Sequence, residues 1–344
     1  MKKVLFATTA LVASAGIAAA GDITFSGSAE MGVVGGGNAN VGLATAGVTQ
    51  FNNDLTLSVG MSGDTDSGLT FGVKFDFSKA NPNANGNVSI DNEAAYVSGA
   101  FGTLTLGEID GAMDYRLTEN IGNPGTIGDD ETIHAGYMGW YGDGAYDNQI
   151  LRYDYSFGDF GFSVSTEIDD TDTVDAGYAV AISYNTSFSG VDMGFGLGYQ
   201  TLEVLDKGAV GDADNFIPGN LGAYAPAGLP AGTDIDIVGV TVTADFNNGF
   251  VAGLEYSEWD MSGAVADANH VALSMGYTIN AWSFGANWGK YDIDGPNNNV
   301  EGYGLVAAYD LGGGASIHAG YGDSDIQGVN ANFETWSLGV AMSF

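Results

Sequence analysis

Apolar and polar residues alternate singly along almost the whole of this chain, and that period of two constrains it more than any other property. In the segment NFETWSLGVAMSF, Trp336, Leu338, Val340, Met342 and Phe344 interleave with Thr335, Ser337, Gly339, Ala341 and Ser343. Successive side chains of a strand point to opposite faces, so this segment has one apolar face and one small, polar face. The pattern recurs at 22–34, 54–62, 67–78 and 151–157, and onward through the C-terminal half. Sixteen such segments can be counted.

The connections alternate as well. Brief turns such as Phe101-Gly102, Gly158-Asp159, Ser189-Gly190 and Gly312-Gly313-Gly314 take turns with polar, mostly longer loops near 35–48, 79–89, 111–148 and 204–233. Tight turns at one end and long loops at the other, with an even strand count, describe an all-β, 16-stranded antiparallel transmembrane β-barrel. A soluble β-sandwich also alternates, but three features favour the barrel. Many apolar faces end in Tyr, Phe or Trp, as a lipid boundary requires. The opposite faces are rich in Gly, Ser, Thr and Ala, and the strands are about 10 residues long, enough for a tilted span.

Lys2 and Lys3 precede an apolar run and Ala18-Ala19-Ala20, the parts of a cleaved export signal over 1–20, so a single barrel domain is expected over 21–344. Without Lys2 and Lys3, six basic side chains face 43 acidic ones, which excludes a nucleic-acid partner because phosphates need a basic footprint. There is no cysteine to supply disulfides, thiolate ligands or thiol nucleophiles. After the leader no run of about 18 apolar residues occurs, so no spanning helix is expected.

Five stretches resemble one family: DITFSGSAEMGV from Asp22, MSGDTDSGLTFGVKF at 61–75, YVSGAFGTLTLGE at 96–108, LRYDYSFGDFGFSVS at 151–165 and YDLGGGASIHAGYGDSD at 309–325. They are similar to the general-diffusion porins of alphaproteobacteria, the Rhodobacter type. The resemblance implies a 16-stranded barrel in the outer membrane, in contact with its lipid and usually trimeric, that passes small hydrophilic solutes and ions. It also implies a third long loop folded into the lumen, here 111–148, and a terminal Phe344 of the kind the barrel-assembly machinery recognises.

A pore discriminates by width and by the sign of its wall charge. Parity places Glu30, Asp54, Asp76, Asp154, Asp245 and Glu255 on the polar faces, against Lys74 and Arg152. The loop and its lead-in add Glu108, Asp110, Asp114, Glu119, Asp129, Asp130, Glu131, Asp143 and Asp147 against Arg116. A negative lumen that prefers cations is therefore expected, with a transverse field where Lys74 and Arg152 face loop acids. The alternative is a sugar- or cation-selective channel, in which Tyr137, Trp140, Tyr141 and Tyr146 would form a stacking track or else pack the loop.

No cofactor is required, although Asp129, Asp130 and Glu131, or Asp212, Asp214 and Asn215, offer oxygen ligands for calcium without an EF-hand spacing. An enzyme is not expected, since His134, His270 and His318 are far apart and form no metalloprotease motif. Two local expectations complete the reading. Lys290 sits on an apolar parity and belongs near the rim, and Ile235 and Ile237 break parity with Val238, suggesting a bulge.

Overall fold

The computed structural model describes residues 21–37, 47–79, 88–146, 148–205, 229, 231–263, 265–295, 299–327 and 333–344. The expected leader over 1–20, Asp147, and the group Asp212, Asp214 and Asn215 lie outside the described residues. The strands are β1 (Asp22–Gly36), β2 (Gln50–Asp64), β3 (Thr70–Lys79), β4 (Ser89–Gly99), β5 (Gly102–Gly107), β6 (Ile150–Phe157), β7 (Phe160–Glu167) and β8 (Gly177–Phe188). They continue as β9 (Val191–Glu203), β10 (Asp234–Asp245), β11 (Phe250–Met261), β12 (Ala268–Ile279), β13 (Trp282–Ile293), β14 (Val300–Gly312), β15 (Ala315–Ile326) and β16 (Thr335–Ser343). Each pairs antiparallel with its neighbours in sequence, and β1 pairs with β16, so the sheet closes and no edge remains.

Closure is carried to the last residue, since the Phe344 amide donates to the Gly27 carbonyl over 2.8 Å. The apolar parity faces outward on every strand: Ile23, Leu57, Phe71, Leu197, Leu254, Leu305 and Leu338 are all exposed. At the tight-turn end aromatic rings form a belt from Phe157 to Phe160 to Tyr184, with centroids 5.4 and 4.6 Å apart. The turns there use the left-handed backbone that the strands' twist demands, with φ of 55° at Ser189 and 86° at Gly190.

The expected bulge at 235–238 is absent. The pairing of β10 with β9 and β11 is continuous, and Ile235 and Ile237 point inward and are fully buried. Their parity break reports an apolar contact inside the barrel. The bulges that do occur lie elsewhere: the β3–β4 register shifts between Lys74 and Asp76, opposite Asn92 with φ of 56°, and β14–β15 shifts near Asp310. Lys290 is outward and near the long-loop end, as expected, with Nζ 3.5 Å from Asp292.

The segment between β5 and β6 folds into the barrel. It opens with one helical turn, α1 (Ala112–Arg116), and its apolar residues Met113, Leu117, Met138 and Tyr141 meet Ile235, Ile237, Trp259 and Tyr291 of the wall. Transferring these side chains out of water is the favourable term that holds the loop inward, at about 25 cal/mol per Å² of apolar surface.

Candidate functional site, a narrowed lumen

The loop lies against one side of the barrel because that side is lined with glycine. A Cβ on Gly289 would overlap the Gly136 carbonyl, one on Gly276 would meet the backbone of Gly122, and one on Gly304 would meet the backbone of Glu131. Gly198 and Gly239 leave room for Met113 and Leu117, and Gly32 and Gly339 for Ile127. Wall side chains then take up the loop's backbone groups. The Ser165, Ser274 and Ser324 hydroxyls accept from the amides of Ala112, Ile121 and Ala135 at 2.8–3.0 Å. Asn287 Nδ2 donates to the Glu131 carbonyl at 2.6 Å.

Much of the acidity serves this docking. Glu167 accepts from the amides of Ala145, Tyr146 and Asn148 at 2.9–3.1 Å. Glu119 accepts from Met138 and Gly139 at 2.8 Å each. Glu255, expected in the lumen, is fully buried beneath the loop, so it contributes no wall charge of its own. Burial raises the Glu119 carboxyl to about 7, against the pull of His270 and its amide donors. Asp114 is pushed well above the usual carboxylate range by burial and then by Asp143, itself raised to about 6 by burial.

The two arginines do not form a basic wall. Arg116, on α1, reaches across to β7, where Nε donates to Ser163 Oγ at 2.7 Å and Nη2 to the Phe162 carbonyl at 3.1 Å. Arg152 Nε donates to Asp154 at 3.0 Å, and its other nitrogen to the Asp110 carbonyl. Asp154 lies between the guanidiniums, 3.8 Å from Arg116, and also accepts from Ser163 at 2.5 Å. Tyr115 covers them, with its ring centroid 3.7 Å from Arg152 and 4.9 Å from Arg116. Asp154 thus supplies one carboxylate for two guanidiniums, and Arg152 is buried among these partners rather than free on the wall.

Opposite the loop, β1 to β4 keep their charges toward the opening. Glu30 pairs with Asp54, and Asp76 with Asp91, as direct cross-strand neighbours on the inner face. Lys74 is exposed and, among the described residues, makes no ion pair. Asp129 faces them from the loop, with φ of 52°; its side chain still reaches water, but desolvation by the surrounding loop and then Glu131, Asp130 and Asp54 raise its carboxyl to about 6. Glu108 is tied down, accepting from the Asn92 amide and Asn148 Nδ2 at 2.8 Å each.

The acids expected to hold calcium diverge. Asp130 and Glu131 turn inward to the Thr126 hydroxyl at 3.2 and 2.6 Å, while Asp129 is exposed. Among the described residues no group of three or more His, Asp or Glu is arranged to hold a metal. The three histidines all serve the loop: His134 bonds Asn287, His270 bonds the Gly136 carbonyl and His318 the Gly125 carbonyl. Burial lowers His134 to about 4, so it is neutral. Tyr141 and Tyr146 are buried packing residues, which removes half of the supposed stacking track.

The sequence reading missed Tyr115, Trp259 and the buried set around His270. The available sign was bulk on the inward parity: Trp259, Tyr291 and Ile326 are large on faces that elsewhere carry mostly glycine, serine and alanine.

Residues 7–328 match the family model for Gram-negative porins. The porin of Rhodobacter capsulatus is 29% identical over 324 residues, covering 89% of this chain and 95% of that protein. Among solved structures, a porin refined at 1.8 Å aligns over 94% of this chain and all of its own, with a TM-score of 0.62 and 24% identity. A triple mutant of Rhodopseudomonas blastica porin aligns over the same shares with a TM-score of 0.64 and 20% identity. With its closed 16-strand barrel, inward loop and apolar outer face, the chain belongs to the Gram-negative porins, channel proteins of the outer membrane.

Proposed function

We propose that this porin is a passive, general-diffusion channel for small hydrophilic solutes that prefers cations over anions. One observation carries the reading: Asp154 and Tyr115 occupy both arginines, while Asp54, Asp76, Asp91 and Asp129 line the opening with Lys74 as their basic neighbour. Low-dielectric walls focus such a field and raise the local concentration of counter-ions. Burial of Tyr141 and Tyr146 supports general diffusion over a sugar-selective track. Recording the reversal potential of the purified protein in a potassium chloride gradient tests the preference, and an anion-selective sign would overturn it.

Conduction on this reading needs no cofactor and no catalytic step. Calcium at 129–131 would require Asp130 and Glu131 to leave Thr126. We also propose a homotrimer joined through the outer face of β1–β6. Toward the long-loop end that face presents Met31, Phe51, Phe77 and Ile90, with Phe51 84% exposed. At the same level β10, β11 and β15 present the outward acids Asp236, Glu258, Asp260 and Asp323, which suit lipid headgroups and water. Phe344 is outward and 64% exposed beside β1, which supports its reading as the assembly signal. Cross-linking in detergent that yields only monomers would remove the trimer from this reading.

A further inference from the structure

His270 lies on the inner face of β12, fully buried, and each of its ring nitrogens has an acceptor. Nε2 is 2.9 Å from the Gly136 carbonyl, which can only accept, so Nε2 carries a hydrogen. Nδ1 is 2.6 Å from Glu255 Oε2, and one proton sits between them. The pair therefore holds one proton more than a neutral imidazole facing a carboxylate would. The groups around it are all acids or neutral: Glu255 on β11, Tyr291 on β13 at a ring distance of 4.4 Å, and from the loop Glu119 at 3.8 Å, Tyr141 and neutral His134. Glu119 in turn fixes the amides of Met138 and Gly139, and Tyr141 donates to Glu255 at 3.4 Å.

We propose that protonated His270 is the positioning residue of the constriction loop, joining the limb 134–141 to the barrel wall through Glu255, Glu119 and the Gly136 carbonyl. Removing its proton leaves two buried carboxylates without a cation and turns a lone pair of the ring toward an acceptor. Each lost contact is a charge-assisted bond in a dry site, among the strongest the loop has. The loop then detaches from this wall while the glycine contacts and apolar core elsewhere keep it inside the barrel. His270 touches no permeant ion and acts on the channel only through the loop. The inference rests on the channel function alone and is independent of cation preference.

The test combines planar-bilayer recording with hydrogen exchange of the detergent-purified protein, titrated from neutral to alkaline pH. Protection factors divide out the pH dependence of intrinsic exchange. In the unaltered protein, protection of Met138 and Gly139 should fall about tenfold as the proton leaves, the shift that one charge-assisted hydrogen bond supports, and open-channel noise should rise with it. His270→Gln should show the loosened state at every pH. Because that variant leaves Glu255 buried without its partner, the double variant His270→Gln with Glu255→Gln supplies an uncharged pair that should fold and abolish the alkaline transition. A flat protection profile in the unaltered protein, or an undiminished transition in the double variant, would overturn the proposal. A shift in ion selectivity without change in protection would leave the cation reading intact and still count against this one.

Discussion

The inner wall of this barrel has two unlike halves built from the same alternation. From β7 to β16 the inward positions hold mostly glycine, serine and a few large apolar residues, and the loop packs against them. From β1 to β4 they hold Glu30, Asp54, Lys74, Asp76 and Asp91, which stay open except where Ile127 covers Gly32 and meets Asn52. A strand's inward face is thus wet or dry according to what lies across from it. Glycine permits backbone to approach backbone, whereas unpaired carboxylates favour water. The loop itself repeats the division, turning Glu119, Asp130 and Glu131 into the wall and Asp129 toward the opening.

The sharpest way to break this contrast is to remove the bulk that anchors the covered half. Trp259→Ala deletes a fully buried side chain and should cost about 3–5 kcal/mol, seen as a lower melting temperature together with larger, noisier conductance. Glu167→Gln can accept through only one atom where three amides now converge, and should cost about 1.5–3 kcal/mol, with exchange at 145–148 rising first. Neither change should alter the sign of the reversal potential, because both lie in the covered half.

On the open half the converse holds. Asp54→Asn combined with Asp129→Asn should leave the melting temperature unchanged or slightly raised and move the reversal potential toward zero. A large loss of stability there would erase the distinction between the halves. Acidification should act similarly: Asp129, at about 6, gains its proton between pH 7 and 5, so cation preference should decline over that range.

The covered acids add a stability effect of definite sign. Glu119 and Asp143 keep protons up to about 7 and 6, above the values of unfolded carboxylates, about 4. Between those limits the folded chain binds more protons than the unfolded one, so the contribution of these acids falls as pH rises to about 7, and loss beyond that belongs to the His270 contact. Melting scans across pH 4–8 check this. The smallest effect is expected from chelator, which should shift neither melting nor conductance, since Asp130 and Glu131 share the Thr126 hydroxyl and point away from Asp129.

Sequence alone determined the strands, their number, which face of each is apolar and where the tight turns fall, because side-chain direction in a strand follows from position parity and needs no partner. It also located the inward segment 111–148 by its length and by resemblance. Tertiary structure decided which inward residues meet water. Lumenal Glu255 and exposed Asp129 have the same polar character in the sequence, and only the path of a loop separated from Glu255 by more than 100 residues buries one of them. Likewise Arg152 on the wall and Arg116 on the loop read as free charges until closure of β5, β6 and β7 sets Asp154 between them. Parity is local, whereas the charge that a passing ion meets depends on contacts across the lumen.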